Sequence, residues 1–435
     1  MVNELFIIQF IIYNLTFIIL KMVTLQHIQE AKEVLEGVAY KTPLMRSMTL
    51  SEKFQANVLL KREDLQLVRS YKLRGAYNKM YNLTEEQKAK GIVCASAGNH
   101  AQGVAYSCMQ LGIKGTIYMP STTPKQKIRQ VELFGKSMVT IVLAGDTFDD
   151  SYNEAQAFGK ENGLTFIHPF DDPMVIAGQG TVGLEIVADS DVPIDYLFIP
   201  IGGGGLVAGV TTVFKALSPN TIIIGVEPEG APSMKTSIAN GVNTTLDHID
   251  KFVDGAAVKR VGDLTFAICK DKIREVVTIP EGKVCSTILS LYNEEAMVVE
   301  PAGALTISSL DFYKEEIKGK NVVCIVSGSN NDITRTEEIK ERSLVYEGLK
   351  HYFMIQFPQR PGALKAFVNQ VLGPEDDITY FQFSKKNSRE SGPVVVGIEL
   401  KHKEDFDGIC NRLSELHFTY EYLNNNPTLF GLLVG

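Results

Sequence analysis

Apolar runs alternate with helical stretches between about residues 40 and 330. The runs are rich in Val and Ile, end in Gly or Pro turns, and include NVLLK, GIVCASA, GTIYMP, SMVTIVLAG, DYLFIPIGGGG, TIIIGVEPEG and NVVCIVSGSN. Continuous apolar strands separated by helices are typical of parallel sheets covered by helices on both faces, so the pattern predicts an α/β fold. Ligands in such folds bind beyond the carboxyl ends of the strands, and we therefore look for function in the turns after these runs.

The pattern changes in the last hundred residues. The stretch TRTEEIKERSLVYEGLK is highly charged and predicts a connecting helix, which we place at residues 336–349. Residues 350–435 then read as strand, helix, strand, strand, helix, strand. This order is typical of a small α+β sandwich of the split βαβ type, and only one copy is present. We expect a large domain at residues 22–335 and a separate C-terminal domain.

The first 21 residues do not match the rest of the chain. The uncharged run LFIIQFIIYNLTFIIL is shorter than the roughly twenty residues that a membrane helix needs. It also lacks the basic start and the small-residue cleavage site of a signal peptide. We expect Met22 to be the working start and residues 1–21 to be an extension outside the fold, with a membrane anchor as the alternative.

Composition and charge narrow the classes of function. The chain has 435 residues, of which 45% are hydrophobic and 22% charged, as in an ordinary soluble globular protein. A net charge of −8 argues against nucleic acid or an anionic membrane as the main partner, because both need a basic surface. The cysteines lack C-x-x-C spacing and the histidines form no ligand pair, so we expect a cytoplasmic protein without a transition metal.

Four consecutive glycines stand between a buried strand and a helix in the stretch IPIGGGGLVAG. Glycine lets the backbone approach a ligand closely, and successive N–H groups at a helix N-terminus bind phosphate. The stretch also satisfies G-x-G-x-x-A, and Glu227 follows at the place of an acidic ribose ligand. A nicotinamide-dependent oxidoreductase is therefore an open alternative.

Three further turns carry polar or reactive side chains. The turn CASAGNHAQG presents Ser96 and Asn99, which could hold a carboxylate or a ring oxygen, or could only cap a helix. The turn CIVSGSNND presents Ser327 and Asn330 after another buried strand. In VRSYKLRGAYNKM, Lys72 falls on the first turn of a helix, where the macrodipole disfavours a cation and therefore favours a neutral amine.

Together the four turns offer an amine, a phosphate cradle, a carboxylate-binding loop and a hydroxyl group. Pyridoxal phosphate needs these groups, because its aldehyde joins a lysine and its ring and phosphate must be fixed. A nicotinamide enzyme has no use for the lysine.

The motifs resemble those of the fold-type II pyridoxal phosphate enzymes, and specifically the biosynthetic threonine dehydratases. The resemblance covers nearly everything after Met22, through KREDLQ, SYKLRGAY, SAGNHAQG, GGGGL, KFVDGAAV, EPAGA, SGSNND and FPQRPGAL. It implies a tryptophan synthase β-like catalytic domain of two parallel-sheet lobes at residues 22–335. It also implies that residues 350–435 form an ACT-like regulatory sandwich.

The resemblance further implies a role for each site residue. Lys72 would carry pyridoxal 5'-phosphate and act as the catalytic base. The other cofactor contacts would be Asn99 at the ring hydroxyl, Ser327 at the pyridine nitrogen, and Gly202, Gly203, Gly204, Gly205 and Leu206 at the phosphate. The substrate carboxylate would be bound by Ser96, Ala97, Gly98, Asn99 and His100.

The activity implied by the resemblance is the β-elimination of L-threonine to 2-oxobutanoate and ammonia, the first step of isoleucine biosynthesis. Isoleucine would inhibit at the ACT-like domain, and the enzyme would be a homo-oligomer, with a tetramer typical of the family. Serine racemases of this fold carry a second serine at the position of Ala97, which serves as an acid/base group. The alternatives are a catabolic serine/threonine dehydratase and an amino-acid-binding regulator with an idle catalytic lobe.

Overall fold

The computed structural model describes residues 23–383 and 390–426, with the single positions 431 and 433. The predicted extension at residues 1–21 lies outside the described residues. No helix in the described part of the chain is long and apolar enough to cross a membrane. The chain divides into two compact units, the first within residues 1–280 and 291–332, the second within residues 281–290 and 333–435.

The strands of the first unit are β1 (Leu44–Arg46), β2 (Asn57–Arg62), β3 (Ile92–Ala95), β4 (Gly115–Met119), β5 (Val139–Leu143), β6 (Thr165–Phe166), β7 (Tyr196–Pro200), β8 (Ile222–Pro228), β9 (Glu275–Ile279) and β10 (Asn321–Val326). Its helices are α1 (Leu25–Leu35), α2 (Met48–Phe54), α3 (Lys72–Tyr81), α4 (Glu85–Lys90), α5 (Asn99–Leu111), α6 (Lys125–Gly135), α7 (Phe148–Asn162), α8 (Pro173–Asp189), α9 (Gly205–Leu217), α10 (Ser233–Asn240), α11 (Asp263–Cys269), α12 (Glu281–Glu295), which continues from the second unit, and α13 (Pro301–Ser308).

Two sheets organise the first unit. The larger has the order β1-β2-β10-β7-β8-β9, and the smaller has the order β5-β4-β3-β6. All neighbouring strands run parallel except β1 and β2, which are antiparallel. Every residue of β3 and β7 is buried, as their continuous apolar sequences predict. The predicted α/β fold with two parallel-sheet lobes is confirmed.

Close backbone packing fixes the helix that carries Lys72. A Cβ atom at Gly178 of α8 would lie 2.3 Å from the carbonyl oxygen of Arg74 in α3, and one at Gly75 would lie 2.8 Å from the Val175 side chain. Only glycine permits such an approach between two helices. Helix α8 in turn packs on α9, where a Cβ at Gly209 would lie 2.6 Å from the amide nitrogen of Gly180. The lysine helix and the glycine-loop helix are therefore held by one partner.

The second unit contains α14 (Thr336–Tyr346), β11 (Lys350–Pro358), α15 (Ala363–Gln370), β12 (Asp377–Phe383), β13 (Ser391–Glu399), α16 (Phe406–Glu415) and β14 (Tyr420–Tyr422). Its sheet has the order β12-β13-β11-β14, and all of its pairs are antiparallel. The core of the unit is built from Phe353, Phe357, Phe367 and aliphatic side chains of both helices and the sheet. The predicted order of strands and helices is confirmed.

Candidate active site

Lys72 is the first residue of α3. Tyr71 occupies the N-cap position, and no side chain caps the helix there. The Lys72 Nζ atom donates a hydrogen bond of 3.0 Å to the carbonyl oxygen of Pro169. Burial lowers the pKa of Lys72 from its ordinary value of 10.5 to about 8, and the nearby Glu300 carboxylate partly opposes this shift. The lowered pKa makes a neutral amine more accessible than in an ordinary lysine, and its main cause is burial.

The loop after β3 leads into α5. Gly98 is the N-cap of α5 and no side chain caps the helix, while the Ser96 hydroxyl accepts a 3.2 Å hydrogen bond from the Gly98 N–H. Ser96 and Asn99 therefore do not act as side-chain caps. The N–H groups at the start of α5, where the helix dipole favours an anion, are suited to a carboxylate.

His100 is the second residue of α5 and is buried. Its Nε2 atom donates a 2.9 Å hydrogen bond to the carbonyl oxygen of Ile167, which assigns the proton to Nε2. Burial, together with the nearby Lys72, lowers the pKa of His100 to about 3. The imidazole is therefore neutral, and it adds no competing charge beside the lysine.

The glycine loop lies between β7 and α9. Gly204 is the N-cap of α9 with a φ of 94°, and no side chain caps the helix. The carbonyl oxygen of Gly203 accepts hydrogen bonds from the Thr265 hydroxyl at 2.7 Å and from the Gly262 N–H at 3.1 Å. A Cβ atom at Gly203 would lie 2.2 Å from the Phe170 ring. The loop is thus rigid, and the uncapped helix N-terminus leaves its N–H groups for an anion such as phosphate.

These elements enclose one cavity of about 760 Å³. Of the residues predicted from the sequence, the cavity is lined by Lys72, Ser96, Ala97, Gly98, Asn99, His100, Gly202, Gly203 and Ser327. Gly204, Gly205 and Leu206 do not line it, and Leu206 is only 1% exposed with its side chain in the core. Leu206 can therefore offer only its backbone N–H to a ligand.

Several residues of the cavity have no role predicted from the sequence. Glu300 accepts a 2.7 Å hydrogen bond from Asn99, and Asp171 accepts from the first N–H groups of α11. Asp254 and Phe170 also line the cavity. The stretches EPAGA and KFVDGAAV contain Glu300 and Asp254 and were the available signals, whereas nothing in the sequence indicated residues 170 and 171.

The dinucleotide alternative depends on Glu227, which lies elsewhere. Its carboxylate is 1% exposed and accepts hydrogen bonds from the N–H groups of Met234 at 2.7 Å and Lys235 at 3.0 Å. It therefore serves the start of α10 and does not line the cavity. In the described part of the chain, no group of three or more His, Cys, Asp or Glu side chains is arranged to hold a metal ion.

Comparison with known proteins agrees with this geometry. Residues 35–328 match the family described as pyridoxal-phosphate dependent enzyme, and residues 341–433 match the C-terminal regulatory domain of threonine dehydratase. The two-lobed fold and the buried lysine at its cavity are those of this class. The molecule is a pyridoxal-phosphate dependent enzyme of fold type II.

The similarity extends along most of the chain. The L-threonine dehydratase biosynthetic IlvA of Halalkalibacterium halodurans is 57% identical over 404 residues, which are 93% of this chain and 97% of that protein. The Bacillus subtilis protein of the same name is 55% identical over 413 residues, covering 95% of this chain and 98% of its own. The structure of the processed form of threonine deaminase isoform 2 from Solanum lycopersicum is 43% identical, with a TM-score of 0.71 over 74% of this chain and 88% of that chain. The chain belongs to the family of biosynthetic threonine dehydratases.

Proposed function

We propose that the enzyme converts L-threonine to 2-oxobutanoate and ammonia with pyridoxal 5'-phosphate as cofactor. The observation that carries this proposal is the position of Lys72, which has a pKa of about 8 and lines the cavity. The same cavity is lined by the loop after β3, which is suited to a carboxylate, and by the glycine loop. A lysine must be neutral to capture an aldehyde or to remove a proton from carbon.

The residues of the cavity fit the cofactor. Lys72 would hold its aldehyde carbon, and the N–H groups from Gly202 to Leu206 would hold its phosphate. Asn99 would bind the ring hydroxyl and Ser327 the pyridine nitrogen. Ser327 is 3% exposed and lines the cavity. When bound, the cofactor withdraws electrons from the Cα atom of the substrate and makes its proton acidic.

The protein supplies binding and proton transfer. The N–H groups around Ser96 and Asn99 would bind the substrate carboxylate. Lys72 would accept the Cα proton, that proton and the β-hydroxyl would leave together as water, and the released enamine would hydrolyse to the oxo acid and ammonia. Ala97 presents no acid/base group on the opposite side, so the site favours elimination over racemisation.

Release of 2-oxobutanoate from L-threonine by the purified protein tests this proposal. Lys72→Ala should abolish turnover, whereas Lys90→Ala should leave it unchanged because Lys90 is in an exposed ion pair and does not line the cavity. Turnover retained by Lys72→Ala, or no turnover by the wild type with the cofactor present, would contradict it. A parallel assay with L-serine measures the substrate preference.

We also propose that isoleucine binds the second unit and inhibits the enzyme. The support is the regulatory-domain match at residues 341–433 and the four-stranded antiparallel sheet of that unit. Isoleucine should lower the rate of threonine turnover, and a variant that ends at residue 335 should lose the response while retaining activity. Equal inhibition of both proteins would place the effector elsewhere.

The remaining organisation is proposed in the same terms. The catalytic domain would be residues 22–335, the linker helix residues 336–349 and the regulatory domain residues 350–435, close to the division between the two units after residue 332. We propose a cytoplasmic homo-oligomer, with a tetramer as the expected state. All six cysteines are free, as expected in a reducing compartment. Sedimentation of the full chain would measure the oligomeric state.

A further inference from the structure

Glu300 occupies an unusual position for a helix-capping carboxylate. It is the N-cap residue of α13, yet its side chain accepts no hydrogen bond from that helix. A short polar side chain such as Asp at this position ordinarily accepts from the first N–H groups of its own helix, whereas the longer Glu300 side chain does not. The Glu300 side chain instead turns into the active-site cavity, where the residue is 5% exposed. Something other than capping therefore determines its orientation.

The contact that Glu300 makes is with Asn99. Its Oε1 atom accepts a 2.7 Å hydrogen bond from Asn99 Nδ2, and the opposite end of the same amide, Asn99 Oδ1, accepts a 2.6 Å hydrogen bond from Asn330 Nδ2. The backbone N–H of Asn330 also donates to the Glu300 carboxylate. Burial raises the pKa of Glu300 to about 7, and above that pH its carboxylate can only accept. The Asn330 amide nitrogen can only donate, so the two contacts fix which end of the Asn99 amide carries the nitrogen.

One hydrogen of the Asn99 amide has no acceptor among the described residues in this arrangement. Nδ2 has two hydrogens, and one of them goes to Glu300. The second has no acceptor in the described part of the chain, and Asn99 lines the cavity. Rotation of the amide by 180° would place its oxygen against the Glu300 carboxylate, which is repulsive. Glu300 thereby ensures that Asn99 presents a donor to whatever occupies the cavity.

Two glycines leave the space that the Glu300 carboxylate occupies. A Cβ atom at Gly328 would lie 2.5 Å from Glu300 Oε1, and one at Gly255 would lie 3.4 Å from the same atom. The Glu300 N–H also donates a 3.1 Å hydrogen bond to the Gly328 carbonyl oxygen. Side chains at these two positions would crowd the carboxylate, so its contact with Asn99 depends on glycine at both.

We propose that Glu300 is a positioning residue that acts through Asn99, orienting its amide so that an N–H group is available to the ring oxygen of the cofactor. This inference rests on the proposed function, because it takes pyridoxal phosphate as the occupant of the cavity. Glu300 itself does not touch the reacting atoms in this account. Glu300 also raises the pKa of Lys72 directly, and this influence disappears above that pKa, where the amine is neutral with or without the Glu300 charge. At such a pH, the remaining effect of Glu300 on cofactor affinity must vanish when Asn99 is absent.

A double-mutant cycle on the full-length protein tests this directly. The cofactor is removed and pyridoxal phosphate is titrated back at a pH well above the Lys72 pKa of about 8 into the wild type, Glu300→Ala, Asn99→Ala and the double variant, with affinity read from absorbance. Each single variant should weaken cofactor binding about tenfold, the cost of one charge-assisted hydrogen bond. In the Asn99→Ala background, Glu300→Ala should change the affinity less than about twofold. An additive loss in the double variant would overturn the proposal.

Two further variants separate positioning from general damage. Glu300→Gln keeps an oxygen that can accept from Asn99, so it should restore affinity and the absorption maximum of the bound cofactor to wild-type values. Glu227→Ala truncates another buried glutamate outside the cavity and should leave affinity unchanged. A Gln variant as weak as the Ala variant would refute the positioning role.

The outcome also separates this inference from the function itself. If the wild type does not bind pyridoxal phosphate, the proposed function fails and the role of Glu300 fails with it. If the wild type binds the cofactor and Asn99→Ala weakens binding while Glu300→Ala does not, only the role of Glu300 is wrong.

Discussion

The amine of Lys72 donates to the backbone carbonyl of Pro169 at a distance of 3.0 Å. The residues that follow Pro169 reach the rest of the site, because the Phe170 ring packs on Gly203 and the Asp171 carboxylate accepts from the start of α11. One short segment therefore connects the lysine with the glycine loop. A substitution in the glycine loop should therefore alter the surroundings of the Lys72 amine, and a substitution of the lysine should alter those of the loop.

The ionisation of Lys72 should control cofactor capture. Burial lowers its pKa to about 8, Glu300 opposes the shift, and His100 is neutral. His168 also lines the cavity with a pKa lowered mainly by burial. About a tenth of the amine is then neutral at pH 7, against less than a thousandth for an ordinary lysine.

The rate at which the cofactor-free protein captures pyridoxal phosphate should therefore rise with pH through a midpoint near 8. Glu300→Gln removes a negative charge that stabilises the ammonium form, so it should move the midpoint to lower pH. Stopped-flow absorbance over a pH series measures both. A wild-type midpoint at the ordinary lysine value would refute the assignment.

Ser327→Asp should change the fate of the substrate. A hydroxyl cannot keep the pyridine nitrogen protonated, whereas a carboxylate can, and a protonated ring draws charge away from Cα. The Asp variant should therefore give more transamination relative to elimination. Ser327→Thr retains the hydroxyl and should keep the wild-type ratio. Product analysis by chromatography decides, and an unchanged ratio in the Asp variant would contradict the role of Ser327.

Gly203→Ala should damage both the fold and the cofactor site. The added Cβ would lie 2.2 Å from the Phe170 ring, and such overpacking costs about 1–3 kcal/mol. Urea unfolding should show this loss, and the purified variant should hold less cofactor. Gly98→Ala is the control for stability, because no atom lies within 4 Å of its added Cβ. Equal stability of Gly203→Ala and the wild type would show that the loop is not tightly packed.

A buried ionic network should contribute strongly to stability. Arg74 donates to Glu63 and to Glu185, with distances of 2.9 Å and 2.6 Å for the closest contacts, and Glu63 is 0% exposed. Arg74→Met would leave a buried carboxylate without its main partner, at a cost of about 3–5 kcal/mol in the free energy of unfolding. Lys90→Met breaks an exposed pair with Glu86 and should cost less than about 1 kcal/mol.

The same network gives a pH dependence. Burial alone would raise the pKa of Glu63, but Arg74, together with the Lys61 charge and the Thr42 hydroxyl, outweighs burial and lowers it. The stability that Glu63 contributes is therefore present above its unfolded pKa and is lost as pH falls through the lower folded value. The difference between the wild type and Arg74→Met should be largest at neutral pH and should shrink below about pH 4.5. A constant difference would contradict the pairing.

The main strands could be predicted because each is a continuous apolar run that ends in a turn. The edge strand Leu44–Arg46 was not predicted, since three residues with one charged side chain carry no periodicity. Strand Thr165–Phe166 is defined only by its pairing with β3. Strands of this kind exist because of tertiary contacts, which local sequence does not encode.

The site residues that could be predicted are those whose function is indicated by the residues next to them in sequence. Lys72 and the glycine run are recognisable from the residues beside them. Glu300 and Phe170 could not be predicted in this way, because their roles depend on contacts with Asn99 and Gly203, which are distant in sequence. A glutamate before a proline reads as an ordinary helix start, and only the folded chain turns its carboxylate toward Asn99.

The most direct test of the account is the covalent attachment of the cofactor. The protein is loaded with pyridoxal phosphate, reduced with borohydride, digested and analysed by mass spectrometry. We predict the reduced cofactor on the peptide that contains Lys72 and its absence from that peptide in the Lys72→Ala variant. Attachment to another lysine, or none in the loaded wild type, would contradict the central claim.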